Sequence, residues 1–395
     1  MGRNIVICCD GTNDQFGPEN TNVVRLAQVL DRDPAKQRLY YDPGVGTLAE
    51  PGVVTAIGKR MSEIVGLAFG AGLTWKVQEA YIYLMDFWEP GDRVFVFGFS
   101  RGAYTARVLA ALLHAMGVLP RGNYNLVPYV IRLFKAVGRE HHSELGANLT
   151  EYTKLCDHFR WSFARVVSAN DDERRFPVHF LGLWDTVSSV GWVWDPPRFP
   201  YTAHNPSVRV IRHAVAIDER RWFFRQNRIF QAQAGQDLKE VWFAGVHSDI
   251  GGGYPEADGG LWRVTFEWML GEATRAGLLV DPARLRAVRT QSAASARPYD
   301  DAQHESLTTA WWPAEFFPKW QWQPVERRRR MAVGLGRHRS IQDGALIHRS
   351  VVERLKETPY RPRNLSDAFI AESTNLPLIP EVVPYSATGS IIAPA

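Results

Sequence analysis

The sequence GFSRG at residues 98–102 places Ser100 between two glycines in the pattern G-x-S-x-G. An apolar run over residues 93–99 leads directly into this serine, and a helical pattern begins near Gly102. A serine in a tight turn between a strand and a helix is a typical position for the nucleophile of acyl transfer, and the turn requires small residues on either side. The context therefore favours a nucleophilic serine over a turn that contains a serine by chance.

A serine hydroxyl needs a base that accepts its proton and an acidic group that orients the base. Asp185 follows an apolar run at residues 178–184, and His247 follows another at residues 241–246. Ligands of open α/β sheets bind at the carboxyl ends of the strands, so we expect both side chains to meet Ser100 there.

Other titratable side chains support or rival these candidates. Asp249 lies two residues after His247 and is either an auxiliary carboxylate or a turn former. His348 is a rival or supporting base. His213 lies on a helical pattern and is expected to pack, whereas Asp218 is equally consistent with a surface ion pair.

Acyl transfer also needs hydrogen-bond donors for the oxyanion, one of them the backbone N–H of the residue after the nucleophile. That residue is Arg101. The loop at Gly11 and Thr12 follows the first apolar run, residues 4–9, and we expect it to supply the second donor. Asp10 begins this loop, where it forms an Asx-type turn, supports the site, or does both.

Apolar runs and helical patterns alternate along the chain, which predicts an α/β fold with a mostly parallel central sheet flanked by helices. We expect the aromatic-rich segments to form lid insertions over the site. The predicted organisation is a core over residues 1–280 with insertions at about 120–175 and 190–235, a C-terminal aromatic and basic cap at 281–373, and a weakly ordered tail at 374–395. The predicted strands are residues 4–9, 37–41, 93–99, 178–184 and 241–246, and the predicted helices cover residues 21–30, 54–88 and a segment from about 102.

The composition is that of a globular protein, with 395 residues, 45% of them hydrophobic and 22% charged. A formal net charge of only +4 argues against nucleic-acid binding, which usually shows a clustered basic excess. Neither an H-E-x-x-H nor a C-x-x-C pattern occurs, so we expect no metal and no other cofactor. The first apolar run is too short for a signal peptide, and no run is long enough for a membrane span. We therefore expect synthesis in the cytoplasm and, if the protein is secreted, a route without a signal peptide.

The most unusual feature of the composition is its 14 tryptophans. The run Arg327–Arg330, with Arg337 and Arg339 nearby, follows Trp320 and Trp322. This cluster is either a solvated face or a peripheral membrane contact, because basic residues beside interfacial aromatic residues favour anionic headgroups.

Five motifs follow one another in a fixed order: CDGT at residues 9–12, GFSRGA at 98–103, LWDTV at 183–187, AIDERR at 216–221 and GVHSDIGGGY at 245–254. Together they resemble the α/β-hydrolase family known as domain of unknown function 2235, which includes type VI secretion phospholipase effectors. The resemblance covers roughly residues 3–275, with a weaker similarity around His348. It implies a Ser-Asp-His esterase whose triad is Ser100, Asp185 and His247, and in the effectors the substrates are acyl esters of glycerophospholipids.

We therefore expect a serine hydrolase of carboxylic esters, of the lipase or phospholipase type, that forms an acyl-enzyme. An esterase of small soluble esters and a non-catalytic binding module on the same fold are the alternatives. The expected partner is an ester or phospholipid substrate.

Overall fold

The computed structural model describes most of the chain, and its central element is a long, mainly parallel sheet. The strands are β1 (Asn4–Cys9), β2 (Gln37–Asp42), β3 (Arg93–Phe99), β4 (Val178–Trp184), β5 (Val208–Ala216), β6 (Asp237–Phe243), β7 (Lys319–Gln323), β8 (Arg328–Ala332), β9 (Leu346–His348) and β10 (Val382–Pro384). The described residues are 2–11, 17, 19–44, 69–140, 146–167, 174–187, 199–255, 258–291, 297–323 and 328–389.

The main sheet has eight strands in the order β10-β9-β6-β5-β4-β3-β1-β2. Neighbouring strands are parallel from β2 to β9, and β10 pairs with β9 antiparallel. Strands β7 and β8 form a separate antiparallel pair. The strand order reverses between β1 and β3, and the crevice outside the carboxyl ends of strands at such a point is the general ligand site of open α/β sheets.

Helices cover both faces of this sheet, because parallel strands must be joined by crossover connections. They are α1 (Asn22–Val29), α2 (Phe69–Phe87), α3 (Ser100–Met116), α4 (Val127–Glu140), α5 (Gly146–Phe163), α6 (His247–Gly251), α7 (Leu261–Arg275), α8 (Pro282–Gln291), α9 (Trp312–Glu315), α10 (Arg349–Glu357) and α11 (Asp367–Thr374), with short 3₁₀ turns at Tyr124–Leu126, Pro298–Asp300 and Thr309–Trp311.

Alternate residues of the central strands pack into two different cores. Ile5 and Ile7 of β1 belong to the core shared with α2 to α5, whereas Val6 and Cys8 belong to the core shared with α1 and α7. Both faces of the sheet are therefore buried, which explains why β1 and β3 are continuous apolar runs without alternating polar residues.

The mostly parallel α/β architecture is confirmed, and all five predicted strands are present, the last of them shifted to β6. The prediction missed β5, which lies in the segment taken for an insertion. His213 is accordingly on a strand, so its assignment to a helical pattern was wrong. Of the helix predicted at residues 54–88, the part from 69 onward is α2 and the rest lies outside the described residues.

The central sheet also extends past residue 280, where the sequence placed a cap and a weakly ordered tail. Strand β9 comes from the predicted cap and β10 from the predicted tail, and both join the edge beside β6. Each is only three residues long, too short for periodicity to reveal. Ile347 and Val383 on these strands are fully buried in a third core with α10 and α11.

Helices long and apolar enough to cross a bilayer do not occur among the residues that the structure describes.

Candidate active site

Ser100 is the first residue of α3 and lies in the turn between β3 and this helix. Its φ of 57° is in the left-handed region that non-glycine residues rarely adopt. The turn has no room for larger neighbours: a Cβ on Gly98 would lie 2.5 Å from the Gly102 carbonyl oxygen, and one on Gly102 would lie 2.2 Å from the Cys9 carbonyl oxygen. The predicted strand, strained turn and helix around the serine are thus present.

His247 and Asp185 meet directly, as the sequence predicted. The His247 Nδ1–H donates to Asp185 Oδ2 at 2.6 Å, and both side chains are almost completely buried. Asp185 directly follows β4 with a φ of 35°, and His247 begins α6 shortly after β6. This bond fixes the orientation of the imidazole and leaves its Nε2 as the nitrogen that can accept a proton.

Two contacts connect this pair with the Ser100 turn. The Val187 N–H donates to the Ser100 carbonyl at 3.1 Å. The ring of Phe99, the residue before the serine, stacks on the His247 imidazole with centroids 4.6 Å apart. The serine, histidine and aspartate segments are therefore packed together at the carboxyl edge of the sheet.

The charges around His247 favour a neutral imidazole beside an ionised carboxylate. Burial lowers the pKa of His247, although Asp185 opposes this shift. Burial would raise the pKa of Asp185, but the positive charge of Arg339 and the bond from His247 outweigh it and hold that pKa well below its usual range. A neutral imidazole with an ionised partner is the state that a general base requires.

Sequence reasoning missed two side chains next to this pair. Arg339 donates to both oxygens of Asp185, at 2.5 and 3.0 Å, whereas the sequence placed it beside a solvated or membrane-facing basic run. Glu219 accepts from the His247 backbone N–H at 3.2 Å and is paired with Arg221. The AIDERR motif gave a signal for Glu219, while nothing local distinguishes Arg339 from its neighbours in sequence.

The backbone N–H groups predicted to bind the oxyanion differ in their positions and hydrogen bonds. The Arg101 N–H is in the first turn of α3, one residue after Ser100. The Gly11 N–H donates to Asp10 Oδ1 at 2.8 Å, so the adjacent carboxylate already engages it. Thr12 lies outside the described residues.

Asp10 is buried in the loop after β1, where its carboxylate accepts several hydrogen bonds. Its carboxylate accepts from Thr21 Oγ1 at 2.8 Å and from the Tyr41 hydroxyl at 2.8 Å, besides the Gly11 N–H. Burial raises its pKa to about 6 despite these bonds. Asp10 therefore holds this loop against α1 and β2.

His348 and Asp218, two of the other titratable residues considered, have structural partners. The side chain of His348 accepts from the Ser350 N–H and caps α10, and its ring stacks on Phe243. Asp218 is buried rather than part of a surface ion pair, and it accepts from the Gly245 N–H and the Tyr360 hydroxyl.

Asp249 forms a second histidine–carboxylate pair. Its Oδ2 accepts from the Val246 N–H, and its Oδ1 is 2.7 Å from Nδ1 of His304. The His304 ring stacks on Tyr254 with centroids 3.7 Å apart. Asp249 thus supports the start of α6, and with it His247, instead of contacting the imidazole of His247.

Replacing His304 with glutamine should destabilise the protein more at pH 6 than at pH 9. The hydrogen bond with Asp249 raises the pKa of His304 above 6.5, so the stability from this pair is complete below pH 6.5 and is lost as the pH rises through the higher, folded-state pKa. Urea unfolding at both pH values should show a difference of about 1 kcal/mol. His158→Gln on the exposed face of α5 should stay within about 0.5 kcal/mol of wild type at both, and an equal loss at both pH values for His304→Gln would contradict the ionic pairing.

Aromatic residues from two other segments, one before and one after His247 in the chain, cover its imidazole. Phe224 makes an edge contact with the imidazole at 4.8 Å between centroids, and Trp311 packs on Phe224 at 5.6 Å. The Arg221 guanidinium lies 3.6 Å from the Phe224 ring centroid. Trp192, Trp194 and the side chains of Trp320, Trp322 and Arg327–Arg330 lie outside the described part of the chain.

No cluster of three or more His, Cys, Asp or Glu side chains suited to a metal ion occurs in the described ranges.

The fold and site together define an α/β protein in which a His–Asp pair and a serine-bearing turn are packed together at the carboxyl edge of a mainly parallel sheet. Residues 3–272 match the family described as "T6SS, Phospholipase effector Tle1-like, catalytic domain", and the chain belongs to this family. The resemblance to phospholipase effectors that the sequence motifs carry is thereby confirmed.

One relative in sequence and two solved structures show how similar individual proteins are to this chain. An uncharacterised protein of Saccharomyces cerevisiae is 35% identical over 232 residues, which cover 57% of this chain and 32% of the yeast protein. This chain thus spans about a third of that relative's length. Among solved structures, an uncharacterised protein from Pseudomonas aeruginosa is 18% identical with a TM-score of 0.42, covering 74% of this chain and 49% of the other. The Tle1 effector bound to the VgrG spike of the type VI secretion system is 20% identical with a TM-score of 0.33, covering 64% and 51%.

Proposed function

We propose that the chain is a serine hydrolase of the α/β-hydrolase kind that cleaves carboxylic esters of phospholipids. Ser100 is the nucleophile, His247 the general base and Asp185 the group that orients the base. The observation that carries this proposal is the 2.6 Å bond between His247 and Asp185, formed beside a serine in a strained turn between strand and helix. Membership of a phospholipase effector family supports it independently.

The reaction proceeds through an acyl-enzyme. The Ser100 Oγ attacks the ester carbonyl carbon while His247 Nε2 takes the hydroxyl proton. His247 returns that proton to the leaving alcohol as the C–O bond breaks. Water then attacks the acyl-serine with His247 again as the base, which releases the fatty acid and restores the serine. Asp185 holds the imidazole in the required tautomer and stabilises its protonated form.

The oxyanion is stabilised at the start of α3. The Arg101 N–H lies one residue after the nucleophile, and the N-terminus of a 17-residue helix favours negative charge. The loop after β1 is the expected source of the second donor. Because Asp10 engages the Gly11 N–H, the Thr12 N–H is the better candidate in this loop.

A phospholipid substrate agrees with the aromatic cover as well as with the family. Phe224 and Trp311 form an apolar wall beside His247, and such walls suit an acyl chain better than a small polar ester. A phospholipase must also reach its substrate at a membrane surface, so we propose peripheral membrane contact and, as for the effectors of this family, a secreted role.

A covalent probe tests whether the serine is activated. A fluorophosphonate should label the wild-type protein at Ser100, and Ser100→Ala should abolish labelling. Ser340→Ala, a change at an exposed serine of the C-terminal part, should leave labelling intact. An unlabelled wild type would favour the non-catalytic binding module.

Substrate chain length tests the phospholipid assignment. With p-nitrophenyl esters from acetate to palmitate, kcat/KM should rise with acyl length, and vesicles of phosphatidylglycerol and phosphatidylethanolamine should release fatty acid. If the rate falls with chain length and vesicles remain intact, the protein is an esterase of small soluble esters.

A further inference from the structure

Arg339 makes four described hydrogen bonds within the candidate site. Nη1 donates to Asp185 Oδ1 at 2.5 Å and to the Ala216 carbonyl at 3.2 Å. Nη2 donates to Asp185 Oδ2 at 3.0 Å and to the Phe224 carbonyl at 2.6 Å. The guanidinium therefore binds the carboxylate with two parallel bonds, the geometry that arginine provides and lysine does not.

The carboxylate of Asp185 is consequently fixed by donors on both oxygens. Oδ1 receives Arg339 and the Ala216 N–H at 3.0 Å, and Oδ2 receives Arg339 and His247. Neither oxygen can rotate away from the imidazole without breaking a charge-assisted bond. A carboxylate orienting a base must be held in this way, because small displacements of a catalytic group are costly.

Two carboxylate–arginine pairs flank His247 from different elements. Asp185 with Arg339 faces Nδ1, and Glu219 with Arg221 faces the backbone N–H. These four charges cancel, so the neutral imidazole sits in a balanced environment. Loss of Arg339 alone would leave one buried negative charge in excess beside His247.

Arg339 belongs to the segment between β8 and β9, outside the 3–272 range that matches the catalytic-domain family. Asn364, further along, bonds both the Arg339 carbonyl and the Ile217 carbonyl, at 3.1 and 2.9 Å. The C-terminal part thus anchors Arg339 to the loop that also carries Glu219.

We propose that Arg339 is a positioning residue of the active site, which locks and charge-balances the Asp185 carboxylate, so that the C-terminal segment completes a site otherwise built from the family domain. This inference rests on the proposed hydrolase function. The effect of Arg339 on the titration of His247 can be measured without catalytic turnover.

The test is the pH dependence of kcat/KM for ester hydrolysis in Arg339→Gln. The acid limb of this profile reports the protonation of the base. Without Arg339 the uncompensated Asp185 charge stabilises the protonated imidazole, so the limb should move to higher pH by about one pH unit. The rate at the optimum should fall about tenfold, because the carboxylate is less well held.

Two variants separate this role from a structural one. Arg339→Lys keeps the positive charge but not the parallel bonds, so its rate should fall while its acid limb stays near that of wild type, and it serves where Arg339→Gln fails to fold. Arg337→Gln, at an exposed arginine two residues away, should change neither rate nor limb. A folded Arg339→Gln whose acid limb stays in place would overturn the proposal.

An NMR titration of His247 in the Ser100→Ala background distinguishes failure of this inference from failure of the proposed function. The imidazole should titrate at higher pH in Ser100→Ala/Arg339→Gln than in Ser100→Ala alone. Equal titrations would refute the role of Arg339 whether or not the protein is an enzyme. If the titration shifts but the wild-type protein hydrolyses no ester, the role of Arg339 would be supported and the hydrolase function refuted.

Discussion

His247→Ala should lower kcat for ester hydrolysis by about 10⁶-fold, because the serine then has no base for its proton. Asp185→Asn should cost about 10⁴-fold, since an amide in place of the carboxylate favours the wrong imidazole tautomer. Both effects are measured with a soluble p-nitrophenyl ester on folded protein. The residues act as one unit, so the double variant should be no slower than His247→Ala alone.

His348→Asn is the matched control for this pair. His348 caps α10 with its side chain, and asparagine is a preferred capping residue, so the replacement removes an imidazole and keeps the cap. We expect activity close to wild type. A loss in His348→Asn comparable with that in His247→Ala would transfer the role of base to His348.

The parts of the site that the sequence predicted are those with a local signature. Ser100, Asp185 and His247 each follow a buried strand closely, and a buried parallel strand is visible as an apolar run. The packing of their three segments against one another also follows from local information, because the carboxyl ends of parallel strands share one edge of the sheet.

The parts that it missed depend on distant partners. Strand β5 carries Arg212 and His213, which interrupt its apolar pattern, yet both are buried because Glu272 and Glu240 pair with them. Arg339 lies 154 residues from Asp185 along the chain. An arginine with a buried partner has no local feature that separates it from a solvated one, so its burial follows only from the tertiary structure.

The same consideration applies to the two short C-terminal strands. Residues 346–348 and 382–384 become strands because an unpaired edge beside β6 accepts them. Strand propensity depends strongly on such a neighbour. Together with Arg339, these strands make the C-terminal part continuous with the sheet that carries the site.

Gly102→Ala should destabilise the protein by about 3 kcal/mol and lower kcat by at least about 10²-fold. A Cβ at this position would lie 2.2 Å from the Cys9 carbonyl oxygen and 2.3 Å from that of Asp10. Both are backbone atoms at the end of β1, so the clash is relieved only if α3 and this loop separate by most of an ångström. That movement displaces the nucleophile and the oxyanion donors from each other.

Gly271→Ala separates this steric effect from the general consequences of replacing a glycine. Gly271 is inside α7, and the nearest atom to an added Cβ is a flexible arginine nitrogen at 3.7 Å. Alanine should therefore stabilise the helix by about 0.5–1 kcal/mol and leave kcat unchanged. Urea unfolding and ester hydrolysis are measured on both variants. A Gly102→Ala protein with wild-type kcat would show that the turn tolerates a side chain and that the serine need not be held in this strained position.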